Sequence, residues 1–188
     1  LAGEGFTGCF GVDIGSEQVA LARLAGLDVR HGDLIHELQQ FHHEIDAIIA
    51  VDVLEHISRE RLLEFGQCCL RAIRPGGVIL LQTPNGEGLH SGHVIYGDLT
   101  HRTIFSESSI TQYLKLVGFV GVTVHEAGPC PCSVVGAVQW VVWMATRTVS
   151  AFVIMAETGR WPRVLTQNLL CLAYAPASGA EDTIPSTR

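Results

Sequence analysis

The stretch GVDIGSEQVALARLAG, residues 11–26, sets an apolar run that ends on an acid directly against a helix-forming segment. Residues 9–14, CFGVDI, read as a buried strand. Ser16 with Glu17 and Gln18 starts a helix that runs through Leu24 and ends at Gly26. A strand closing on Asp13 holds a carboxylate at the carboxyl end of a sheet, which is where open α/β folds bind ligands. Gly15 is followed by Ser16, Glu17 and Gln18 with no second glycine, so the helix begins at once and leaves no loop to approach a bound molecule.

Outward from this unit, short apolar runs alternate with helix-length amphipathic stretches, the pattern of a single α/β domain on a mainly parallel sheet. LDVRHGD (27–33) is a second strand, and IDAIIAVDVL (45–54), the most apolar run, is expected to be central. Residues 59–73 form a helix stopped by RPGG (74–77), which turns the chain into the strand VILLQT (78–83). The connection 87–104 is rich in His, Gly and Tyr, and long loops in compact domains are functional or disordered. Ser106 caps a helix over ESSITQYLKLVGF, VGVTVHEA (120–127) is a strand, and VLTQNLLCLAYA (164–175) is the last strand. The polar tail 176–188 is expected to be disordered.

A formal charge of -7 gives no basic footprint for nucleic acid and favours small or polar ligands. The six cysteines have neither a disulfide framework nor paired zinc spacing, and read as reduced thiols of a cytoplasmic protein. Residues 134–156 are apolar for over 20 positions, yet Gln139 and Arg147 interrupt them. An arginine near the middle of a span costs roughly 2.5–3.5 kcal/mol, so no transmembrane span is expected. The preferred reading is a helix packed on the domain or on a partner, with contact to a membrane surface as the alternative.

The residues just after the apolar runs are the candidate site: Asp13 with Ile14, Asp33 with Leu34, Asp52 with Val53, then Glu55 and His56, and Asn85. Each acid has a plainer reading as a turn or cap residue. Taken together, GVDIGSEQVALAR, GD at 32–33, FHHEIDAIIAVDVLEHI (41–57) and LRAIRPGGVILLQTPNG (70–86) resemble the class I methyltransferases that use S-adenosylmethionine. The resemblance covers residues 1–126, and 164–175 match that family's closing antiparallel strand. YGDLTHRTIFSESSITQYLKLVGF (96–119) looks more narrowly like the members associated with sugars and cell-surface glycans.

By this resemblance the fold is a Rossmann-like, mainly parallel sheet with an antiparallel last strand. Asp13 would bind the ribose hydroxyls, Asp33 the adenine amino group beside Leu34, and Asp52 and Val53 the methionine part of the cofactor. The acceptor would be a small molecule or a sugar. A hydroxyl acceptor needs a base, and imidazole, with its ordinary pKa of about 6.5, suits the task. His101, oriented by Asp98, and His56 are the candidates, while Asn85, Tyr96 and Asp98 are candidates for the acceptor pocket. His90, His93 and His101 with Asp98 lie on a loop without fixed geometry, so no metal site is assigned.

The family's strand order is three, two, one, four, five, seven, six, and Asp13 ends its second strand. The first strand and the glycine-rich turn, about 20 residues before the ribose acid, would then precede residue 1. The domain over 1–175 is therefore expected to be truncated, with a gap in mid-sheet and weak cofactor binding. Two other readings compete: a nicotinamide-dependent reductase, and a non-catalytic module of the same fold that docks a partner through 134–156. The oligomeric state is not legible.

Overall fold

A computed structural model describes residues 5–177. The expectation for the tail falls mainly on 178–188, outside the described residues.

β1 (Gly11–Asp13) and β2 (Val29–His31) are joined by α1 (Ser16–Leu24) and pair in parallel, Val12 opposite Arg30. α2 (Leu34–Leu38) follows β2 directly, capped by the Asp33 carboxylate, which accepts from the His36 amide at 3.1 Å. β3 (Ile45–Val51) leads through a short 3-10 turn (Leu54–His56) into α3 (Arg59–Ala72). β4 (Ile73–Pro84) pairs in parallel with β3. α4 (Gly92–Tyr96), α5 (Glu107–Val117), β5 (Val120–Glu126), α6 (Val134–Thr158) and β6 (Asn168–Tyr174) complete the order. β6 runs antiparallel to both β4 and β5.

The sheet is in two pieces, β1-β2 and β3-β4-β6-β5. Set beside the order three, two, one, four, five, seven, six, this is the same sequence of strands with the third place empty. β3 is consequently an edge strand of its piece, not a central one. Its Ile49 and Val51 are 47% and 52% exposed, because no described strand or helix covers them.

The core lies on the face of the larger piece covered by α3 and α5. Ile79 and Leu81 of β4 and Leu169 and Cys171 of β6 meet Phe65 and Cys69 of α3 and Ile110 and Leu114 of α5, all at most 1% exposed. The alternation of β4 and β6 supplies one buried residue in two, as a half-covered sheet requires. α5 carries the expected N-terminus: Ser106 and Ser109 cap each other's backbone, and Gly118 closes the helix in the left-handed region at φ 114°.

Two further expectations need correction. RPGG does not separate helix from strand. It is a bulge inside β4, since Ile45 pairs with Ile73 and Ala47 already with Val78. Gly76 at φ 76° makes the bend, and the Gly76 amide and Gly77 carbonyl both bond Ala175. Cys130 and Cys132 are joined as a disulfide, so the cysteines are not all thiols; Cys9, Cys68, Cys69 and Cys171 are free. α6 lies on the domain, one of the two placements expected for it, along a single stripe in which Gly136 and Ala151 are its buried residues.

Candidate active site

The ends of β1, β2 and β3 enclose a cavity of about 550 Å³, within the range of small-ligand sites. All six expected cofactor-binding residues, Asp13, Ile14, Asp33, Leu34, Asp52 and Val53, line it, and so does His56. A larger concavity of about 1130 Å³ lies between α5 and the end of α6 and contains none of them.

Asp13 is exposed at the end of β1, and its Oδ1 accepts the Gly15 amide at 2.6 Å. That bond fixes the carboxylate and leaves Oδ2 facing solvent, as an acceptor of two vicinal hydroxyls must be. Asp33 is more engaged than a free acceptor: Arg61 of α3 donates to both of its oxygens, at 3.2 and 3.3 Å. The Arg61 hydrogen bonds hold the Asp33 carboxyl below its ordinary range. Asp52 sits at φ 53°, a left-handed conformation that costs a non-glycine residue roughly 1–3 kcal/mol. Gln82 holds it there: its carbonyl accepts the Asp52 amide at 3.0 Å and its Nε2 donates to Oδ1 at 3.3 Å.

Beside Asp52, Glu55 is 1% exposed, and burial pushes its carboxyl above the ordinary value. Thr83 donates to Glu55 Oε2 at 3.1 Å, and the Glu55 carbonyl accepts the amides of Arg102 and Thr103. The 3-10 turn thereby ties the long connection to the strand ends and brings His101 to His56, ring centroids 5.0 Å apart. One ligand atom each of Glu55, His56 and His101 lies within 4.8 Å of the others, a grouping that could hold a divalent cation or share a proton.

Asp98 does not orient His101. Its Oδ1 accepts the amide and the hydroxyl of Thr100, at 2.8 and 2.6 Å, and these bonds hold its carboxyl below the ordinary range. Thr100 Oγ1 in turn lies 2.9 Å from His56 Nδ1. The hydroxyl has one hydrogen, and it goes to Asp98, so Nδ1 of His56 is the donor and its Nε2 keeps the lone pair. His101 Nδ1 donates to the Ile95 carbonyl at 2.9 Å.

Two acceptor-pocket candidates stand apart from the cavity. Asn85 is 1% exposed and spent on structure: Nδ2 donates to the Val164 and Thr166 carbonyls, and Oδ1 accepts the Glu87 amide. Tyr96 is 83% exposed on α4 and lines neither cavity. Sequence reasoning missed Thr100, Arg61 and Arg102. Asp98-x-Thr100 is a turn pattern in which the hydroxyl returns to the acid, and it is the one signal that could have shown the first. Arg61 and Arg102 come to the cavity wall by tertiary packing alone.

The sequence pattern of the methyltransferase domain family matches residues 1–124. A probable S-adenosylmethionine-dependent methyltransferase of Mycolicibacterium smegmatis is 32% identical over 98 residues, 52% of this chain and 37% of that protein, so the chain spans little over a third of its length. Among solved structures, a methyltransferase of the same cofactor class from Archaeoglobus fulgidus superposes with TM-score 0.65 at 19% identity, over 88% of this chain and 75% of that one. Phosphoethanolamine N-methyltransferase 2 of Haemonchus contortus, solved with S-adenosylmethionine, superposes with TM-score 0.53 at 16% identity, over 89% and 43%. The family match removes the nicotinamide-dependent reading: the chain belongs to the methyltransferase domain family, as a class I, S-adenosylmethionine-dependent member.

Proposed function

We propose that the protein methylates a hydroxyl of a small-molecule or sugar acceptor, with His56 taking the proton. The observation that carries this is the chain Asp98–Thr100–His56, which engages Nδ1 of a ring lining the cavity and leaves Nε2 its lone pair.

The residues present fit the cofactor. A fixed strand-end carboxylate with one oxygen open, Asp13, suits a ribose, and apolar Ile14, Leu34 and Val53 suit the faces of a purine and a thioether. When bound, S-adenosylmethionine supplies a methyl carbon on a sulfonium, and the transfer leaves a neutral thioether. Asp13, Asp33 and Asp52 then have only to bind and orient, and most of the acceleration comes from holding donor and acceptor in line. With a hydroxyl acceptor in place, His56 Nε2 would take the proton that the hydroxyl gives up on methylation. Asp98 and Thr100 hold the ring in the tautomer that can accept it. His101, held by Ile95, stands behind His56 as a second candidate proton acceptor.

The test is transfer of labelled methyl to panels of hydroxylated sugars and of amines, with the product bond located by NMR. Methyl on oxygen, and a loss of about 10²–10⁴-fold in His56→Asn with cofactor binding retained, is the expected result. Methylation of amines alone, or an unimpaired His56→Asn, would overturn it.

A further inference from the structure

α6 extends for 25 residues, about 37 Å, and is long and apolar enough by length and composition to cross a membrane. It touches the domain along a single stripe of Gly136, Trp143, Arg147, Ala151 and Ile154. Its central charge, Arg147, is on that stripe, with Nε donating to Glu126 Oε1 at 2.9 Å and Nη2 to the Arg163 carbonyl at 3.1 Å. On the opposite side Val134, Val138, Val141, Ala145, Val149 and Phe152 recur at three- and four-residue spacing, all exposed. Val142 and Val153 widen this surface to about half the helix circumference, more than the narrow seam a single partner helix covers. Two polar side chains fall within it, Thr146 and Thr148, and they return their hydroxyls to the Val142 and Met144 carbonyls, at 3.0 and 2.7 Å.

The helix cannot run through a bilayer. Glu126, before it, pairs with Leu169, after it, in the β5–β6 ladder, and Arg147 pins its middle to the same place. Residues 159–167 would have to recross the hydrocarbon alone, reaching at most roughly 30 Å, with Arg160, Arg163 and unpaired backbone groups in lipid. At this end of α6 three cations, Lys115, Arg160 and Arg163, line one concavity together with the acids Glu87 and Glu107. Among the described residues Lys115 and Arg160 have no ion-pair partner, while Arg163 meets Glu107 at 3.4 Å. Trp161 folds edge-on against Phe152, ring centroids 5.3 Å apart, between that charge and the valine surface.

We propose that α6 lies in the surface of a phospholipid bilayer, its valine face among the acyl chains and Lys115 and Arg160 at the phosphates. The charge-free face matches hydrocarbon, the two unpaired cations Lys115 and Arg160 match headgroup phosphates, and a tryptophan stands at the boundary, the combination of an interfacial helix. The inference is independent of the reaction proposed above.

Flotation of the full chain with vesicles of phosphatidylcholine, alone or mixed with phosphatidylglycerol, tests it alongside sedimentation without lipid. The protein should float with both and several-fold better with the anionic vesicles, and Lys115→Ala with Arg160→Ala should abolish that preference. Val138→Asp or Val149→Asp should lower the floated fraction about tenfold or more, whereas Leu24→Asp, the same change at an exposed leucine far from α6, should not. No flotation, flotation indifferent to the α6 substitutions, or equal binding to both vesicles would overturn the proposal. A non-floating dimer split by Val149→Asp would assign the face to a second copy instead.

Discussion

Thr100 Oγ1 stands 2.9 Å from His56 Nδ1, and its single hydrogen is committed to Asp98 at 2.6 Å. The hydroxyl therefore works as an acceptor toward the ring, and no apolar isostere can replace it. Thr100→Val should lower kcat about tenfold with little change in the KM for S-adenosylmethionine, and Thr100→Ser should restore it. A loss not rescued by serine would mean that Thr100 acts by packing. Because a cation on Glu55, His56 and His101 would occupy the lone pair the base needs, the rate should also survive treatment with EDTA.

Glu55 makes stability depend on pH in a direction opposite to most carboxylates. Burial raises its pKa in the folded chain above the ordinary 4.5. The folded state thus binds the proton more tightly than the unfolded one. Its contribution is fully present below about pH 4.5 and is lost as pH rises through the folded value. Glu55→Gln removes this titration while keeping an acceptor for Thr83. Thermal melts should show Glu55→Gln more stable than the wild type by about 2–4 °C at pH 8, with the gap closing toward pH 4. A gap independent of pH would count against the assignment.

The elements that the sequence made legible are those set by local chemistry. The Ser106 cap of α5 and the extent of α3 are encoded within a few residues, and each stands where the pattern puts it. The six strand-end residues were legible for the same reason, since each closes its own apolar run. What sequence could not show depends on distant partners. Asn85 reads as an exposed turn residue until Val164 and Thr166, about 80 positions on, close over it. Arg61 reaches Asp33 across 28 positions, and RPGG reads as a turn because nothing local reveals that Ala175 pairs with it.

Gly66 marks the crossing of α3 over α5. A Cβ there would lie 2.7 Å from the Tyr113 hydroxyl and against Val117, and that hydroxyl is anchored to the Leu62 carbonyl at 2.8 Å. Neither neighbour can move without breaking the core. Gly66→Ala should therefore destabilise the chain by about 1–3 kcal/mol despite the better helix propensity of alanine, as read from urea unfolding. A stabilised variant would show that the two helices are free to separate.

The residues that line the cavity are divided between the two pieces of sheet. Asp13 and Asp33 belong to β1-β2, and Asp52, Val53 and His56 to the piece that begins with β3. No backbone ladder joins the pieces among the described residues. What holds them is α2, whose Ile35 and Leu38 enter the core, and the Arg61–Asp33 pair at 3.2 Å. That pair is about half exposed and worth less than about 1 kcal/mol. A site whose halves must be brought together on binding spends part of its interaction energy on doing so. The 188 residues by themselves should accordingly bind S-adenosylmethionine with a Kd no tighter than about 0.1 mM by isothermal titration. Arg61→Ala should weaken this further, and the amides of β1 and β2 should exchange hydrogen much faster than those of β4 and β6. A micromolar Kd for the chain, or equal protection in both pieces, would show that the halves are already fixed relative to each other.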